Sequence, residues 1–101
     1  AFKAVEYHVS KLAGGPEISG TNLMRQVFST KTPILCWSER TTTAEKDEHE
    51  GYQHIFAGAM LAIRNPTAHQ FNWVEDADFA LELIVFAQHL VRKAKTAKKF
   101  G

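Results

Sequence analysis

The sequence has one cysteine, three prolines and no long apolar segment. A single thiol, Cys36, excludes a disulfide within the chain and a cysteine-based zinc knuckle, and it is typical of a reducing compartment. No apolar run approaches the roughly 20 residues of a membrane-spanning helix, and the first residues lack a signal-peptide pattern. We therefore expect a cytoplasmic protein without a membrane partner.

Charge of one sign is also lacking. Twelve basic and eleven acidic residues give a net charge of +1, so nucleic acid would have to bind through a local patch instead of a global field. A chain of 101 residues supports a single core, so one domain is expected over residues 1–101. The chain starts in helical register without methionine, which is consistent with the C-terminal part of a longer protein that has a fused upstream domain.

Apolar residues recur with helical spacing in four segments, which predicts an all-α, up-and-down helical bundle. The four predicted helices are Phe2–Leu12, a short helix capped by Thr21, a long helix that starts at the Thr42–Glu45 capping box, and a last helix from about Asp76 to about Ala97. Ile34–Trp37 is apolar enough for a strand. Since no other segment alternates with period two, we interpret it as a loop that fills the core.

The long helix is expected to end at Asn65–Pro66. Proline disfavours the α conformation of the residue before it and cannot donate a hydrogen bond to the preceding turn. A turn that restarts at Pro66, with Asn65 as its cap, would bring His69 back toward Arg64.

Arg64 and His69 are the candidate catalytic residues. A guanidinium matches the geometry of phosphate, and a neutral imidazole exchanges protons near pH 7. The pair could cleave RNA without a metal: His69 would act on the 2′-hydroxyl or the leaving oxygen, Arg64 would stabilise the charged phosphorus, and Asn65 would orient either group. Alternatively, Arg64 caps helix carbonyls and His69 is an exposed loop residue.

Other polar residues allow two interpretations each. Glu6 is either a solvated carboxylate or the partner of an arginine elsewhere. Lys93 belongs either to a solvated helix end or to an RNA-binding surface. Glu50 is a candidate partner of a basic group; with His49 and His54 it does not have the HExxH spacing of a metal site, so no metal is expected.

The last helix is apolar almost all round. One stripe of its residues is enough for the intramolecular core, which leaves Leu81, Val85 and Phe86 in need of a second cover. We expect this cover to be another subunit, in a homodimer.

The segment Arg64-Asn65-Pro66-Thr67-Ala68-His69 resembles the motif of the HEPN superfamily (higher eukaryotes and prokaryotes nucleotide-binding). The longer segment from Glu50 to Pro66, with Ala80-Leu81-Glu82-Leu83, is similar to the branch known as the hypothetical Ymh family. The resemblance implies a dimeric helical bundle with metal-independent endoribonuclease activity in defence or toxin systems, leaving a 2′,3′-cyclic phosphate.

The same resemblance implies RNA as the substrate, no cofactor, and an antitoxin as a candidate partner. Thr67, inside the motif, is a candidate for supporting the RNA. Some superfamily members only bind nucleotides or dimerise, so the alternative function is an inactive nucleotide-binding, RNA-binding or dimerisation module of a larger protein.

Overall fold

Helices form most of the part of the chain that the computed structural model describes, residues 1–65 and 77–100. The elements are α1 (Phe2–Leu12), α2 (Gly20–Val27), β1 (Leu35–Cys36), α3 (Thr43–Ala59) with a π-helical continuation (Met60–Arg64), α4 (Ala77–Thr96) and β2 (Lys98–Lys99). With 70% helix, the structure confirms the all-α class. The predicted turn at Pro66, and with it Thr67 and His69, lies outside the described residues.

The core lies between two helix pairs, because α1 packs against α4 and α2 packs against α3. Each helix contributes one apolar stripe, as the helical spacing of the sequence predicts. The largest fully buried apolar side chains are Val5, Val9, Leu23, Met24, Val27, Phe28, Leu35, Phe56, Met60 and Leu90.

The start of α3 is the capping box predicted from the sequence. The Thr42 hydroxyl accepts a hydrogen bond from the Glu45 amide at 3.1 Å, and Glu45 Oε1 accepts from the Thr42 amide at 3.1 Å and the Thr41 amide at 3.0 Å. These donors, the Thr42 amide first, hold the pKa of Glu45 below its usual value because they stabilise the ionised carboxylate. A local sequence signal therefore suffices to place this helix start.

The start of α2 differs from the prediction. Thr21 was expected to cap it, but the N-cap position is Ser19, which makes no side-chain capping bond, and the Thr21 hydroxyl is buried without a hydrogen-bond partner. The amide of Gly20 instead donates to Glu6 Oε2 of α1 at 2.6 Å. Gly20 has a φ of 61°, a conformation that favours glycine. A carboxylate from another helix thus supplies the acceptor that local sequence was expected to provide.

The prediction that Ile34–Trp37 has no strand partner is wrong. Leu35 and Cys36 pair antiparallel with Lys99 and Lys98, and the Phe100 amide donates to the Ile34 carbonyl at 3.1 Å. Leu35 and Cys36 are buried, so the expected core-filling role is confirmed. Two-residue strands are too short to show alternation, which explains why the sequence pattern missed the ribbon.

The last turn of α3 widens into π geometry, which the sequence did not indicate. The Asn65 amide bonds the Met60 carbonyl, five residues earlier, and Asn65 itself has helical φ and ψ of −68° and −51°. The expectation that Pro66 forces Asn65 out of the α region is therefore wrong, because this steric preference is a bias that surrounding packing can override. The wider turn also presents Arg64 at a different angle from a continuous α-helix.

His49 is a buried structural residue. Its Nε2 lies 3.0 Å from the Phe28 carbonyl and 3.2 Å from the Ser29 carbonyl, so this nitrogen carries the proton and donates. The Trp37 ring contacts the imidazole edge-on, with 5.5 Å between ring centroids. Burial lowers the pKa of His49, and the two carbonyls oppose this shift only in part.

We predict that the free energy of unfolding falls as pH drops below the ordinary histidine pKa of about 6.5, because the unfolded chain then binds a proton that folded His49 resists. The stability contribution is complete above that value and is lost as pH falls through the lowered pKa of the folded state. Urea unfolding at about pH 8 and about pH 5 measures the difference.

In His49→Gln, which keeps a neutral donor, we expect a loss of about 1–3 kcal/mol at pH 8 and a smaller difference between the two pH values. His54→Gln is the matched control, because His54 is exposed on the same helix. If both variants keep the full pH dependence, another group causes it.

Candidate functional site

Glu6 and Arg64 form an ion pair that links α1 to the end of α3. Glu6 Oε1 lies 3.3 Å from Arg64 Nε, and the Arg64 and Glu6 side chains are only 25% and 18% exposed, respectively. Of the two interpretations of Glu6, the structure confirms the partner of an arginine. Since both charges are partly withdrawn from water, their attraction is stronger than that of an exposed surface pair.

Glu6 is held at this position from both sides. Val5 and Val9 bury one face of α1, which sets Glu6 at the edge of the core, and its second oxygen accepts the 2.6 Å hydrogen bond from Gly20. One carboxylate therefore contacts the start of α2 and the π-helical end of α3. Because both of its oxygens make a contact, the Glu6 carboxylate is held in one position, and its Oε1 in turn holds Nε of Arg64.

Asn65 follows Arg64 directly and is exposed. Thr67 and His69, the other predicted members of this site, lie outside the described residues, so the approach of His69 to Arg64 stays a prediction. The structure therefore brings together Glu6 and Arg64, with Asn65 next to them in the chain.

Glu50 and Lys93 lie elsewhere. Glu50 is 14 residues before Arg64 on the same helix, about 20 Å along its axis. Among the described residues, its Oε1 lies 3.9 Å from Nε2 of exposed His54. Lys93 Nζ pairs with Glu48 Oε2 at 2.8 Å. Neither residue joins the Glu6–Arg64 pair within one chain.

Lys93 belongs to an aromatic cluster that sequence reasoning missed. Its ammonium lies 4.5 Å from the Tyr52 ring centroid and 5.1 Å from that of Trp37. The indole Nε1 donates to the Lys93 carbonyl at 2.8 Å, and the Tyr52 hydroxyl lies 2.7 Å from His89 Nε2. Residues from three distant segments form this cluster, so no sequence spacing could have indicated it.

The apolar residues predicted for a dimer interface separate into two groups. Leu81 and Val85, one turn apart on α4, are 59% and 57% exposed. Phe86 is half-buried, and its ring packs against Phe2 with 5.8 Å between centroids. Helix α1 therefore covers Phe86 within the chain, whereas Leu81 and Val85 form an exposed apolar pair.

The described residues contain neither a cluster of metal-binding side chains nor a helix that could span a membrane. Across residues 1–65 and 77–100, no three His, Cys, Asp or Glu side chains are grouped to hold a metal ion. None of the helices in these ranges has both the length and the apolar character needed to span a membrane.

The fold and the ion pair define a small helical domain in which a carboxylate of α1 holds the arginine at the end of α3. Residues 1–94 match the family described as "Protein of unknown function (Hypoth_ymh)". The chain therefore belongs to the Hypoth_ymh family, which confirms this part of the resemblance. No curated protein and no solved structure gives a match.

We predict that Glu6→Ala lowers the free energy of unfolding by about 2 kcal/mol, because the Gly20 amide and Arg64 both lose a charged partner. Glu6→Gln keeps an acceptor for Gly20 but removes the charge, so a smaller loss is expected. Urea unfolding measures both. Glu17→Gln is the control, since Glu17 is exposed.

A double-mutant cycle of Glu6→Ala with Arg64→Ala isolates the ion pair from the capping contact. We expect the two losses to be non-additive, because either substitution removes the same interaction. Additive losses would mean that the two side chains do not stabilise each other in solution.

Proposed function

We propose that the protein is a metal-independent endoribonuclease of the HEPN type that acts in a defence or toxin system. It cleaves RNA by attack of a ribose 2′-hydroxyl on the adjacent phosphorus, which leaves a 2′,3′-cyclic phosphate and a 5′-hydroxyl. The observation that carries this proposal is the positioning of Arg64 by Glu6 at the first residue of the Arg-Asn-Pro-Thr-Ala-His segment.

Arg64 has the properties that transition-state stabilisation requires. A guanidinium remains protonated whichever groups contact it, and its fork of donors matches phosphoryl oxygens. Positioning by Glu6 lowers the reorganisation needed when charge develops on the five-coordinate phosphorus. Glu6 is thus a positioning residue, which acts on the phosphate through Arg64.

His69 supplies proton transfer in this proposal. The imidazole removes the proton of the 2′-hydroxyl, or it protonates the departing 5′-oxygen. These two steps occur on opposite sides of the phosphorus, so one histidine does not serve both in a single arrangement. A homodimer provides the second histidine. The exposed pair Leu81 and Val85 supports such an association, because a second copy would remove this apolar surface from water.

A second candidate function is an inactive nucleotide-binding, RNA-binding or dimerisation module. The Glu6–Arg64 pair favours this second function, because an ion pair between two helices explains a partly buried arginine without any substrate. In that case the proline-containing segment only closes the helix, and the protein yields no cyclic phosphate. Cleavage assays separate the two functions.

We predict that His69→Ala lowers the cleavage rate about 10²- to 10⁴-fold, the contribution of a general acid or base, without changing the unfolding transition. The assay incubates single-stranded RNA in EDTA and identifies 2′,3′-cyclic phosphate ends. His54→Ala, which removes an exposed histidine of α3, is the matched control and should keep full activity.

Equal cleavage by His69→Ala and the parent in a nuclease-free preparation would remove His69 from the mechanism. Absence of cyclic phosphate from the parent as well, on a range of RNAs, would favour the inactive module. Activity that requires a divalent cation would contradict the metal-independent mechanism.

We predict that Leu81→Glu together with Val85→Glu converts a dimer into a monomer, because two carboxylates would be buried in an apolar contact. Light scattering during size-exclusion chromatography at several concentrations measures the mass. Ile55→Glu, at an exposed apolar position of α3, is the control. A mass unchanged by the double substitution would place any interface on another surface.

A further inference from the structure

A cleft of about 710 Å³ lies where the β1–β2 ribbon meets the segment that leads into α3. Its lining combines aromatic rings, lysines, a hydroxyl and a carboxylate, contributed by Trp37, Glu39, Thr41, Lys98, Lys99 and Phe100. Of the proposed catalytic residues that the structure describes, neither Arg64 nor Asn65 is part of this lining. Thr41 precedes α3 and Arg64 ends its π-helical continuation, so the two sites are about 30 Å apart along the helix.

Phe100 presents an exposed ring at a fixed position. The ring belongs to a residue that is 54% exposed, while its backbone amide is held by the Ile34 carbonyl. The Arg40 guanidinium lies over the ring, 5.1 Å from the centroid, and is itself anchored by a 2.7 Å hydrogen bond to the Thr30 carbonyl. The Arg40 guanidinium therefore covers part of the Phe100 ring, and the rest of the ring is exposed to a ligand.

Lysines flank this ring. Lys98 and Lys99 are exposed on successive positions of β2, and successive strand residues point to opposite sides. Lys98 therefore shares the side of Phe100, two residues later, and Lys99 adds positive charge on the other side of the ribbon. Glu39 contributes a carboxylate, which accepts hydrogen bonds. The cleft thus offers a π-face for stacking, cations for phosphates and an acceptor for a hydroxyl.

We propose that this cleft binds a segment of single-stranded RNA, with one base stacked on Phe100, a neighbouring phosphate at Lys98, and a ribose hydroxyl at Glu39. The choice of RNA as the ligand rests on the proposed function, and the cleft deepens that function by giving the substrate a second binding site. Stacking is sequence-tolerant because every base has a π-face. A 2′-hydroxyl donor is what a carboxylate recognises in RNA and not in DNA.

An acidic peptide is the main competing ligand, because it would also pair with the lysines. The Phe100 ring, with the Arg40 guanidinium over it, favours nucleic acid. A base can stack on this ring, whereas an aspartate or glutamate side chain has no aromatic face. The ring and the lysines must therefore both contribute to binding.

The test measures binding of a fluorescein-labelled oligouridylate of about twelve nucleotides, a length in the range of single-strand sites, by fluorescence anisotropy in EDTA. The protein carries His69→Ala so that the RNA stays intact. In this background, Phe100→Ala should raise the Kd about tenfold, while Phe100→Tyr should restore binding to near the starting value. Circular dichroism verifies that each variant is folded.

Tyr7→Ala is the matched control. Tyr7 is 58% exposed and has the Lys11 ammonium 5.6 Å from its ring centroid. Like Phe100, it is therefore an exposed ring with a cation beside it, but it lies on α1, outside the cleft. This variant should bind as the parent does. An equal loss in both variants would indicate a general effect of exposed rings and would overturn the site.

Lys98→Ala tests the phosphate contact. Its plot of log Kd against log salt should lose about 0.7 in slope, the value for one phosphate contact on a single strand. Lys3→Ala, an exposed lysine of α1, should leave the slope unchanged. Single-stranded DNA of the same sequence should bind more weakly than RNA, and Glu39→Ala should reduce that preference.

Three outcomes overturn the RNA site: no binding of the oligouridylate by the His69→Ala protein, an unchanged Kd in Phe100→Ala, or displacement of the RNA by poly-glutamate at equal charge concentration. Its failure is distinct from failure of the ribonuclease. If binding depends on Phe100 but the parent yields no cyclic phosphate, this site is kept and the nuclease is rejected. If the parent cleaves RNA but binding does not depend on Phe100, the nuclease is kept and this site is rejected.

Discussion

The carboxylate of Glu6 holds together the end of the domain that carries Arg64. Its two oxygens contact the first amide of α2 and the guanidinium at the end of α3, so three helices meet at one charged group. An uncompensated carboxylate at this depth would be unfavourable, and the two contacts remove that penalty. The position of Arg64 therefore depends on the relative placement of α1 and α2, not only on the helix to which it belongs.

The same dependence limits what the sequence could predict. The Thr42–Glu45 capping box was predictable because its donors and acceptors are three residues apart. The start of α2 was not, since its acceptor comes from 14 residues earlier, on a different helix. Helix existence follows from apolar periodicity, whereas these long-range partners depend on how the helices pack.

The residues of the candidate site also separate into those that the sequence could predict and those that depend on the packing of the helices. The chemistry of Arg64 was accessible from residue type, but whether Glu6 pairs with an arginine, and with which one, required the fold. The distance between Glu50 and Arg64 already follows from their positions on one predicted helix, whereas the distance of Lys93 from Arg64 required the fold. The structure places both toward the opposite end of α3, where Lys93 pairs with Glu48. The β1–β2 ribbon and the π turn left no readable pattern, because each involves too few residues.

The ribbon has a further consequence for biosynthesis. Leu35 pairs with Lys99, so the partner of strand β1 is translated after helices α1 to α4. The ribbon can form only once β2 has been translated, whereas the packing of α4 on α1 needs only α4 itself. Pairing β1 with β2 closes a chain loop that contains α3 and α4, and the entropy cost of such long-range pairing is expected to make the ribbon a late step in folding.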